Sequence, residues 1–249
     1  MISDNKPIGV FDSGIGGLTV LNALKENFGA ENYVYFGDNE NAPYGGKSVA
    51  ELGALSARSV KRLLKAGVKL IVTACVTLST TCAEKISEAA EGVPVIFTYP
   101  RTDIKNAVLI CTPRTALSGF VCENFKNDRV VPLPFLAGEI ERNVLFPEKI
   151  NVKCDVLAIG NAENVVLGCT HYGFVKEKLE KLTGANIYEP FSNVLDCGVK
   201  YGLKAGFGGT VSFIGRSATY NEKVYKIYFG KSAGEKDAFT VISDDEWNP

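Results

Sequence analysis

Short apolar runs alternate along the chain with longer segments whose apolar positions recur every three or four residues. The first run, Ile8–Asp12, ends in a carboxylate, and a glycine-rich turn separates it from a segment with leucines at 18, 21 and 24. Short apolar runs bounded by turns predict buried strands, and the longer period predicts amphipathic helices. Strands are predicted at residues 8–12, 33–37, 69–74, 93–97, 107–111, 129–133, 164–168 and 211–214. Helices are predicted at residues 18–28, 48–65, 77–90, 115–125, 136–144, 174–182, 193–204 and 220–229.

This alternation of strands and helices predicts an α/β fold with mainly parallel sheets covered by helices. At the start of helix 48–65, Ser48 is followed three residues later by Glu51, the signature of a capping box. Ligands of parallel α/β sheets bind at the carboxyl ends of the strands. Asp12, Asp38 and Cys75 each follow or end a predicted strand, so we expect them at that edge.

Two of the predicted strands are built alike. Residues 71–75 read Ile-Val-Thr-Ala-Cys, and residues 165–169 read Val-Val-Leu-Gly-Cys. Each belongs to its own αβ half, so two similar halves can place one thiol on either side of a cleft. Apolar strands often end in a small residue and a cysteine, so this similarity alone is a weak signal.

Composition narrows the class of protein. Of 249 residues, 27 are Lys or Arg and 28 are Asp or Glu, and a net charge of −1 argues against a nucleic-acid binder. The longest apolar stretch is far too short to cross a membrane. The first residues show no basic segment followed by an apolar core, so no signal peptide is predicted. We therefore expect a compact cytoplasmic protein.

The cysteines and the single histidine are the candidate chemistry. Seven cysteines without a CxxC spacing, and one histidine, do not match the usual zinc sites, and no metal is expected. Most strand-end cysteines are buried and inert, and this interpretation is assigned to Cys82, Cys111, Cys122, Cys154 and Cys197. Cys75 and Cys169 differ, because a hydroxyl lies close to each and Cys169 is two residues from His171. A neighbouring histidine or a following helix start favours the thiolate.

The glycine-rich turn after Asp12 is ambiguous by itself. It could hold a phosphate at a helix start, but it lacks the spacing of a dinucleotide fingerprint and of a P-loop. An aspartate at this strand end could instead hold an ammonium group or orient a thiol. The residues alone leave these alternatives open.

Several longer motifs resemble those of the glutamate racemases, in the same order along the chain. They are IGVFDSGIGGLT at 8–19, YFGD at 35–38 with PYGGKS at 43–48, ACVT at 74–77 and LGCTHY at 167–172. The resemblance extends from residue 8 to about residue 230. It implies two pseudo-symmetric αβ domains that face a central cleft, the first formed by residues 1–97 and 208–249 and the second by residues 98–207.

The resemblance also implies an activity. A member of this family racemises glutamate without a cofactor and supplies D-glutamate for peptidoglycan. One thiolate removes the α-proton from one face of the amino acid, and the opposite thiol delivers a proton to the other face. The expected partner is this small substrate, with no nucleic acid or membrane, and the sequence leaves a homodimer open.

Roles are carried over position by position from the matching motifs. The resemblance makes Cys75 and Cys169 the two acid/base groups, with Asp12 assisting Cys75 and His171 assisting Cys169. The residues expected to line the substrate site are Ser13, Pro43, Tyr44, Gly45, Val76, Thr77 and Thr170.

Two features depart from the family pattern. Val76 stands where the family usually has an asparagine that binds the polar end of the substrate, and the segment at 98–106 is shorter than usual. Two alternatives therefore stand beside glutamate racemisation. One is a racemase of another acidic amino acid such as aspartate, and the other is a catalytically impaired homologue that only binds its ligand.

Overall fold

The computed structural model describes residues 5–126, 128–230 and 239–242. Its strands are β1 (Ile8–Asp12), β2 (Tyr33–Gly37), β3 (Leu70–Thr73), β4 (Val95–Phe97), β5 (Ala107–Cys111), β6 (Arg129–Pro132), β7 (Asn164–Gly168), β8 (Asn186–Tyr188), β9 (Val211–Ile214) and β10 (Phe239–Ile242). Its helices are α1 (Gly17–Asn27), α2 (Val49–Lys65), α3 (Val76–Thr81), α4 (Ala83–Ala89), α5 (Pro113–Ala116), α6 (Gly119–Asn124), α7 (Leu136–Asn143), α8 (Lys153–Ile159), α9 (Lys176–Thr183), α10 (Ser192–Tyr201) and α11 (Ala218–Phe229). Short 3₁₀ turns occupy Asn39–Asn41, Pro147–Lys149 and Thr170–Val175.

These strands form two sheets, and every strand pair is parallel. The order is β10-β9-β2-β1-β3-β4 in the first sheet and β6-β5-β7-β8 in the second. The α/β fold with parallel sheets is thereby confirmed. The first sheet takes its strands from both ends of the described chain and the second from its middle. The domain boundaries at 97/98 and 207/208 remain a prediction.

Burial explains why the central strands read as continuous apolar runs. All five residues of β1 and all five of β5 are buried, because helices cover both faces of each sheet. One cluster of buried apolar side chains extends from Val10 and Leu18 in the first half to Leu136 and Leu167 in the second. The two sheets are therefore packed together through a shared apolar core.

Several predicted helices are interrupted. The helix predicted at 77–90 is wrong as a single element, since it breaks at Cys82 into α3 and α4. In α3 the hydroxyls of Thr80 and Thr81 donate to the carbonyls of Val76 and Thr77, and such bonds compete with a regular helix. The helix predicted at 115–125 is likewise two helices, and Ser118 caps the second one.

Other predicted elements agree closely with the structure. Helix α2 begins after Ser48, and the capping box with Glu51 is present in both directions. The structure adds α8, β8 and β10, which the sequence pattern did not predict. Among the described residues, no helix has the length and apolar character needed to cross a bilayer.

Candidate active site

Two buried thiols lie at the carboxyl ends of matching strands. Cys75 follows β3 and directly precedes α3, and Cys169 follows β7 and precedes the 3₁₀ turn at 170–175. Both are free cysteines, and both are about 95 per cent buried, with exposures of 5% and 6%. They line a single cleft between the two sheets. The placement predicted from the similar strand ends is what the structure shows.

The other predicted site residues gather around these thiols. The cleft is lined by Ser13, Pro43, Tyr44, Gly45, Cys75, Val76, Thr77, Thr112, Ala137, Cys169, Thr170 and His171. Of the residues predicted for the site, Asp12 alone is not in this lining, and it lies directly behind Ser13. The space inside the cleft that water can reach is ≈ 10 Å³, roughly enough for one water molecule. The cleft must therefore widen before an amino acid can enter.

Asp12 lies between the two thiol neighbourhoods. Its Oδ1 accepts a hydrogen bond from Ser13 Oγ at 3.3 Å, and its Oδ2 accepts one from Thr170 Oγ1 at 3.2 Å. Ser13 Oγ is in turn 3.9 Å from Cys75 Sγ. Asp12 thus reaches Cys75 through a hydroxyl, and it also holds the residue that follows the second thiol.

His171 links Cys169 to a carboxylate. Its Nδ1 lies 3.8 Å from Cys169 Sγ, and its Nε2 lies 2.6 Å from Glu141 Oε2. Glu141, on α7, also accepts hydrogen bonds from the backbone N–H of Ile15 at 3.1 Å and from Asn39 Nδ2 at 2.6 Å. The carboxylate of Glu141 therefore joins the second sheet to two loops of the first.

The glycine-rich turn after Asp12 packs directly against Glu141 and His171. A Cβ on Gly14 would overlap the carboxylate of Glu141, and a Cβ on Gly16 would lie 2.5 Å from His171 Nδ1. Only glycine permits such a close approach of the backbone. The packing of Glu141 and His171 against the turn explains why these two positions are glycines. A bound phosphate is not needed to explain them.

Burial and charge set the protonation of these groups. Burial raises the pKa of the Cys75 thiol well above its usual range, and the carboxylate of Asp12 raises it further. Burial also raises the pKa of Asp12, and this is partly offset by His171. Burial alone would lower the pKa of His171, but its hydrogen bonds to Cys169 and Glu141 outweigh that effect and raise it well above its usual value. At neutral pH this favours a neutral Cys75 thiol and a protonated imidazole.

Three threonine hydroxyls form a cluster beside Cys75. Thr77 Oγ1 lies 3.0 Å from Thr112 Oγ1 and 3.1 Å from Thr115 Oγ1. Thr112 and Thr115 are themselves 3.0 Å apart. All three are buried, and they come from both halves of the chain. Hydroxyls can donate to a carboxylate in place of one another, so the cluster is suited to hold the charged end of an amino acid.

Tyr44 closes another part of the wall. It is 2% exposed, and its Oη donates to Asp38 Oδ2 at 2.6 Å. Burial and the hydrogen bond to Asp38 raise the pKa of Tyr44, so its hydroxyl stays a donor. Asp38 also accepts from Asn41 Nδ2 at 2.8 Å. The predicted cleft position of Tyr44 agrees with this arrangement.

The sequence analysis missed Glu141, Thr112 and Thr115. A signal for Glu141 exists in the helix pattern, because Ala137, Ile140 and Val144 are buried and position 141 falls on the same stripe. A carboxylate on an apolar stripe needs a buried partner. Thr112 and Thr115 look like an ordinary N-cap and first turn of α5, and their sequence carries no further signal.

Comparison with known proteins gives the family. The chain is 32% identical to a glutamate racemase of Clostridium perfringens, over 97% of this chain and 93% of the relative. That alignment has 267 positions and is longer than the 249-residue chain, so the relative has residues that this chain lacks. No family model matches the sequence.

Solved structures agree with the sequence comparison. A glutamate racemase of Francisella tularensis in complex with D-glutamate superposes with a TM-score of 0.75 at 26% identity, covering 96% of this chain and 97% of the other. One from Thermus thermophilus in complex with β-chloro-D-alanine gives a TM-score of 0.74 at 28% identity, covering 98% and 100%.

The two parallel sheets, with a cleft between them that two buried cysteines line, define the α/β fold of these racemase structures. With the sequence relationship over nearly its whole length, the chain belongs to the glutamate racemase family.

Proposed function

We propose that this protein interconverts L- and D-glutamate by two-thiol proton transfer. The observation that carries the proposal is that Cys75 and Cys169 line one closed cleft, each with its own hydrogen-bonded partners. The class of activity is that of the family. The residue roles rest on the geometry of this chain.

The difficulty of the reaction explains the form of the site. The α-proton of an amino acid is very weakly acidic, so its removal leaves a carbanion that needs stabilisation. A cleft that excludes water and presents fixed donors around the carboxylate supplies this without an added electron sink. The hydroxyls of Thr77 and Thr112 line the cleft and are placed to donate to that carboxylate, and Thr115 contacts both of them from behind.

Proton transfer then uses both sides of the cleft. One sulfur, as thiolate, takes the α-proton, so that a Cα–H bond breaks and an S–H bond forms. The opposite thiol gives its proton to the other face of Cα and becomes the thiolate. Acid and base on opposite faces make the reverse reaction use the same groups in exchanged roles.

The two sides differ in how a proton is returned. On one side, Ser13 connects Cys75 to Asp12. On the other, His171 lies between Cys169 and Glu141. A buried imidazole with a carboxylate on its far nitrogen can pass a proton to and from a neighbouring sulfur. We assign Asp12, His171 and Glu141 as positioning and proton-relay residues.

Val76 supports the second candidate. Its side chain is 1% exposed and lines the cleft, but it neither donates nor accepts a hydrogen bond. A substrate group left without its partner costs about 1–3 kcal/mol. This apolar wall would fit a racemase of another acidic amino acid such as aspartate. It would also fit a homologue that binds its ligand without turnover.

The wider role follows from the proposed activity. D-glutamate made by this reaction would supply peptidoglycan synthesis in the cytoplasm. The domain division at 97/98 and 207/208 and assembly as a homodimer are parts of the same proposal. The two sheets support the division, since one is built from both ends of the chain and the other from its middle.

Solvent exchange in heavy water tests the proposal directly. The protein is incubated with L-glutamate or L-aspartate, and loss of the α-proton is followed by NMR. Exchange of the glutamate α-proton in the parent, with formation of D-glutamate that is lost in both Cys75→Ser and Cys169→Ser, supports the proposal. Exchange of aspartate alone indicates the other racemase, and absence of exchange with bound ligand indicates the binding homologue.

A further inference from the structure

Two asparagine side chains connect Glu141 to helix α11. Asn39, in the 3₁₀ turn after β2, donates from Nδ2 to Glu141 Oε1 at 2.6 Å. Asn221, on α11, donates from Nδ2 to Asn39 Oδ1 at 3.0 Å. Since Glu141 also contacts His171, a continuous series of hydrogen bonds extends from α11 to the imidazole beside Cys169.

The charge of Glu141 fixes the direction of both amides. An ionised carboxylate only accepts hydrogen bonds, so the part of Asn39 that faces it must be the NH₂ group. This leaves Asn39 Oδ1 facing Asn221, and Asn221 must then present its own NH₂ group. Reversing either amide would bring two acceptors to 2.6 or 3.0 Å from each other. Both asparagines are therefore arranged as donors towards Glu141.

Packing leaves the two amides little freedom. Asn221 is fully buried. A Cβ on Gly37 would lie 2.7 Å from Asn221 Nδ2 and 2.9 Å from Asn39 Oδ1, so only a glycine at the end of β2 permits this contact. Tyr220, also on α11, donates from Oη to the backbone carbonyl of Glu141 at 3.2 Å. Helix α11 therefore holds Glu141 both at its backbone and, through Asn39, at its carboxylate.

The two oxygens of the Glu141 carboxylate have separate partners. Oε1 accepts from Asn39, whereas Oε2 accepts from the backbone N–H of Ile15 and lies 2.6 Å from His171 Nε2. The Glu141 side chain is 13% exposed, so water is within its reach. A buried oxygen left without a donor is costly. Without Asn39, the carboxylate would turn Oε1 towards water, and its contact with the imidazole would lengthen.

We propose that Asn39 and Asn221 are positioning residues that hold the Glu141 carboxylate against His171. Asn39 acts directly on the carboxylate, and Asn221 acts through Asn39. Their effect on catalysis rests on the proposed racemisation, in which His171 exchanges a proton with the neighbouring thiol. Their effect on the imidazole itself does not depend on that activity.

The surroundings of the ion pair allow its geometry to be read from the imidazole. The other titratable groups that face His171 or Glu141 are Asp12, Tyr35, Cys169 and Tyr220. Burial raises the pKa of both tyrosines, so they stay neutral near pH 7. A substitution of Asn39 changes none of these groups. A change in the pKa of His171 would therefore report on its contact with Glu141.

NMR with ring-labelled histidine tests the proposal, because His171 is the only histidine in the sequence. At the pH where His171 is half protonated in the parent, Asn39→Leu should leave it at most about a quarter protonated, because the attraction of Glu141 is weakened. Asn22→Leu is the matched control, since Asn22 Nδ2 also donates to a glutamate, Glu26, but at the surface of α1. Its titration curve should match that of the parent.

Kinetics with glutamate test the order in which the two asparagines act. Asn39→Leu should lower kcat at least about fivefold and leave KM within about threefold, because the change acts on proton transfer and not on substrate binding. Asn221→Ala should lower kcat by a smaller factor. The double variant Asn39→Leu/Asn221→Ala should match Asn39→Leu within about twofold, since Asn221 acts only through Asn39.

Three results would overturn the proposal. One is an unchanged His171 titration in folded Asn39→Leu, even if its melting temperature falls. Another is a rise in KM with kcat unchanged. The third is a double variant in which the two losses of kcat multiply. If the parent does not racemise glutamate, the proposed function fails, and the His171 titration still decides whether Asn39 positions Glu141. Thermal unfolding identifies the folded variants, and the partly exposed Asn39 decides the test alone if Asn221→Ala does not fold.

Discussion

Glu141 Oε2 lies 2.6 Å from His171 Nε2, and neither residue belongs to the sheet that carries Cys75. The same carboxylate is held by the Ile15 amide and the Asn39 side chain from the other half. A single carboxylate thus orients the imidazole next to Cys169 and binds the two halves together. Loss of the Glu141 carboxylate should therefore slow the proton transfer at Cys169 and also weaken the contact between the two halves.

Glu141→Gln keeps the shape and removes the charge. We expect kcat to fall at least tenfold, equivalent to about 1.4 kcal/mol, because the imidazole loses its anionic partner. The pH profile of kcat should shift as well, since the pKa of His171 is raised in part by this carboxylate. Glu139→Gln, on the same helix, is the control and should behave like the parent. An unchanged pH profile in Glu141→Gln would contradict the relay role.

The raised pKa of His171 predicts a pH dependence of stability. A group whose folded pKa lies above its unfolded value of about 6.5 stabilises fully below that value, and the contribution is lost as pH rises through the folded pKa. Above about pH 6.5 the free energy of unfolding should therefore fall, by up to about 1.4 kcal/mol per pH unit. Urea unfolding at about pH 6.5 and about pH 8 measures the slope. His171→Asn should show a shallower slope, and identical slopes would refute the prediction.

The two thiols should be equally indispensable. Cys75→Ala and Cys169→Ala are each expected to abolish racemisation, because each leaves one face of Cα without an acid or base. Cys122→Ala is the control, since Cys122 is exposed and lies outside the cleft. A rate within about tenfold of the parent in either cleft variant, a loss of about 1.4 kcal/mol, would make its acid/base role untenable.

The threonine cluster should act mainly on binding. Thr77→Val keeps the shape but removes the hydroxyl that contacts Thr112 and Thr115, and we expect KM for glutamate to rise about tenfold with a smaller change in kcat. Thr80→Val is the matched control on the same helix, because its hydroxyl donates only to backbone carbonyls. Steady-state kinetics separate the two constants. A fall in kcat alone would place Thr77 elsewhere in the mechanism.

Val76 separates the candidate functions. Val76→Asn introduces a polar side chain beside Cys75, and in a glutamate racemase kcat/KM should improve by at most about tenfold. If the natural ligand has an apolar group at this position, the same change should weaken its binding and leave glutamate unused. No change for glutamate in a folded variant would reject the idea of a weakened glutamate racemase and direct attention to residues 98–106.

The sequence predicted the parts of the fold that depend on local pattern. Buried parallel strands need apolar residues on both faces, so β3 and β7 were visible as runs, and the cysteines that follow them were placed correctly. The break at Cys82 was missed, because threonine hydroxyls decide it through bonds to carbonyls one turn away. Glu141 was missed because its partners lie 30 and 126 residues away.

The narrow space between the thiols has a consequence for the resting enzyme between turnovers. Because the cleft has space for about one water molecule, product can leave only if the cleft widens, and the hydrogen bonds that Glu141 accepts from Ile15 and Asn39 are among the contacts that cross it. Once open, both sulfurs meet bulk solvent and exchange protons with it. The protonation state of the two sulfurs then no longer depends on which enantiomer was released. At high substrate concentration, the return of the two sulfurs to their starting protonation state would be a separate step. That step, rather than proton transfer to and from the substrate, could then limit the rate.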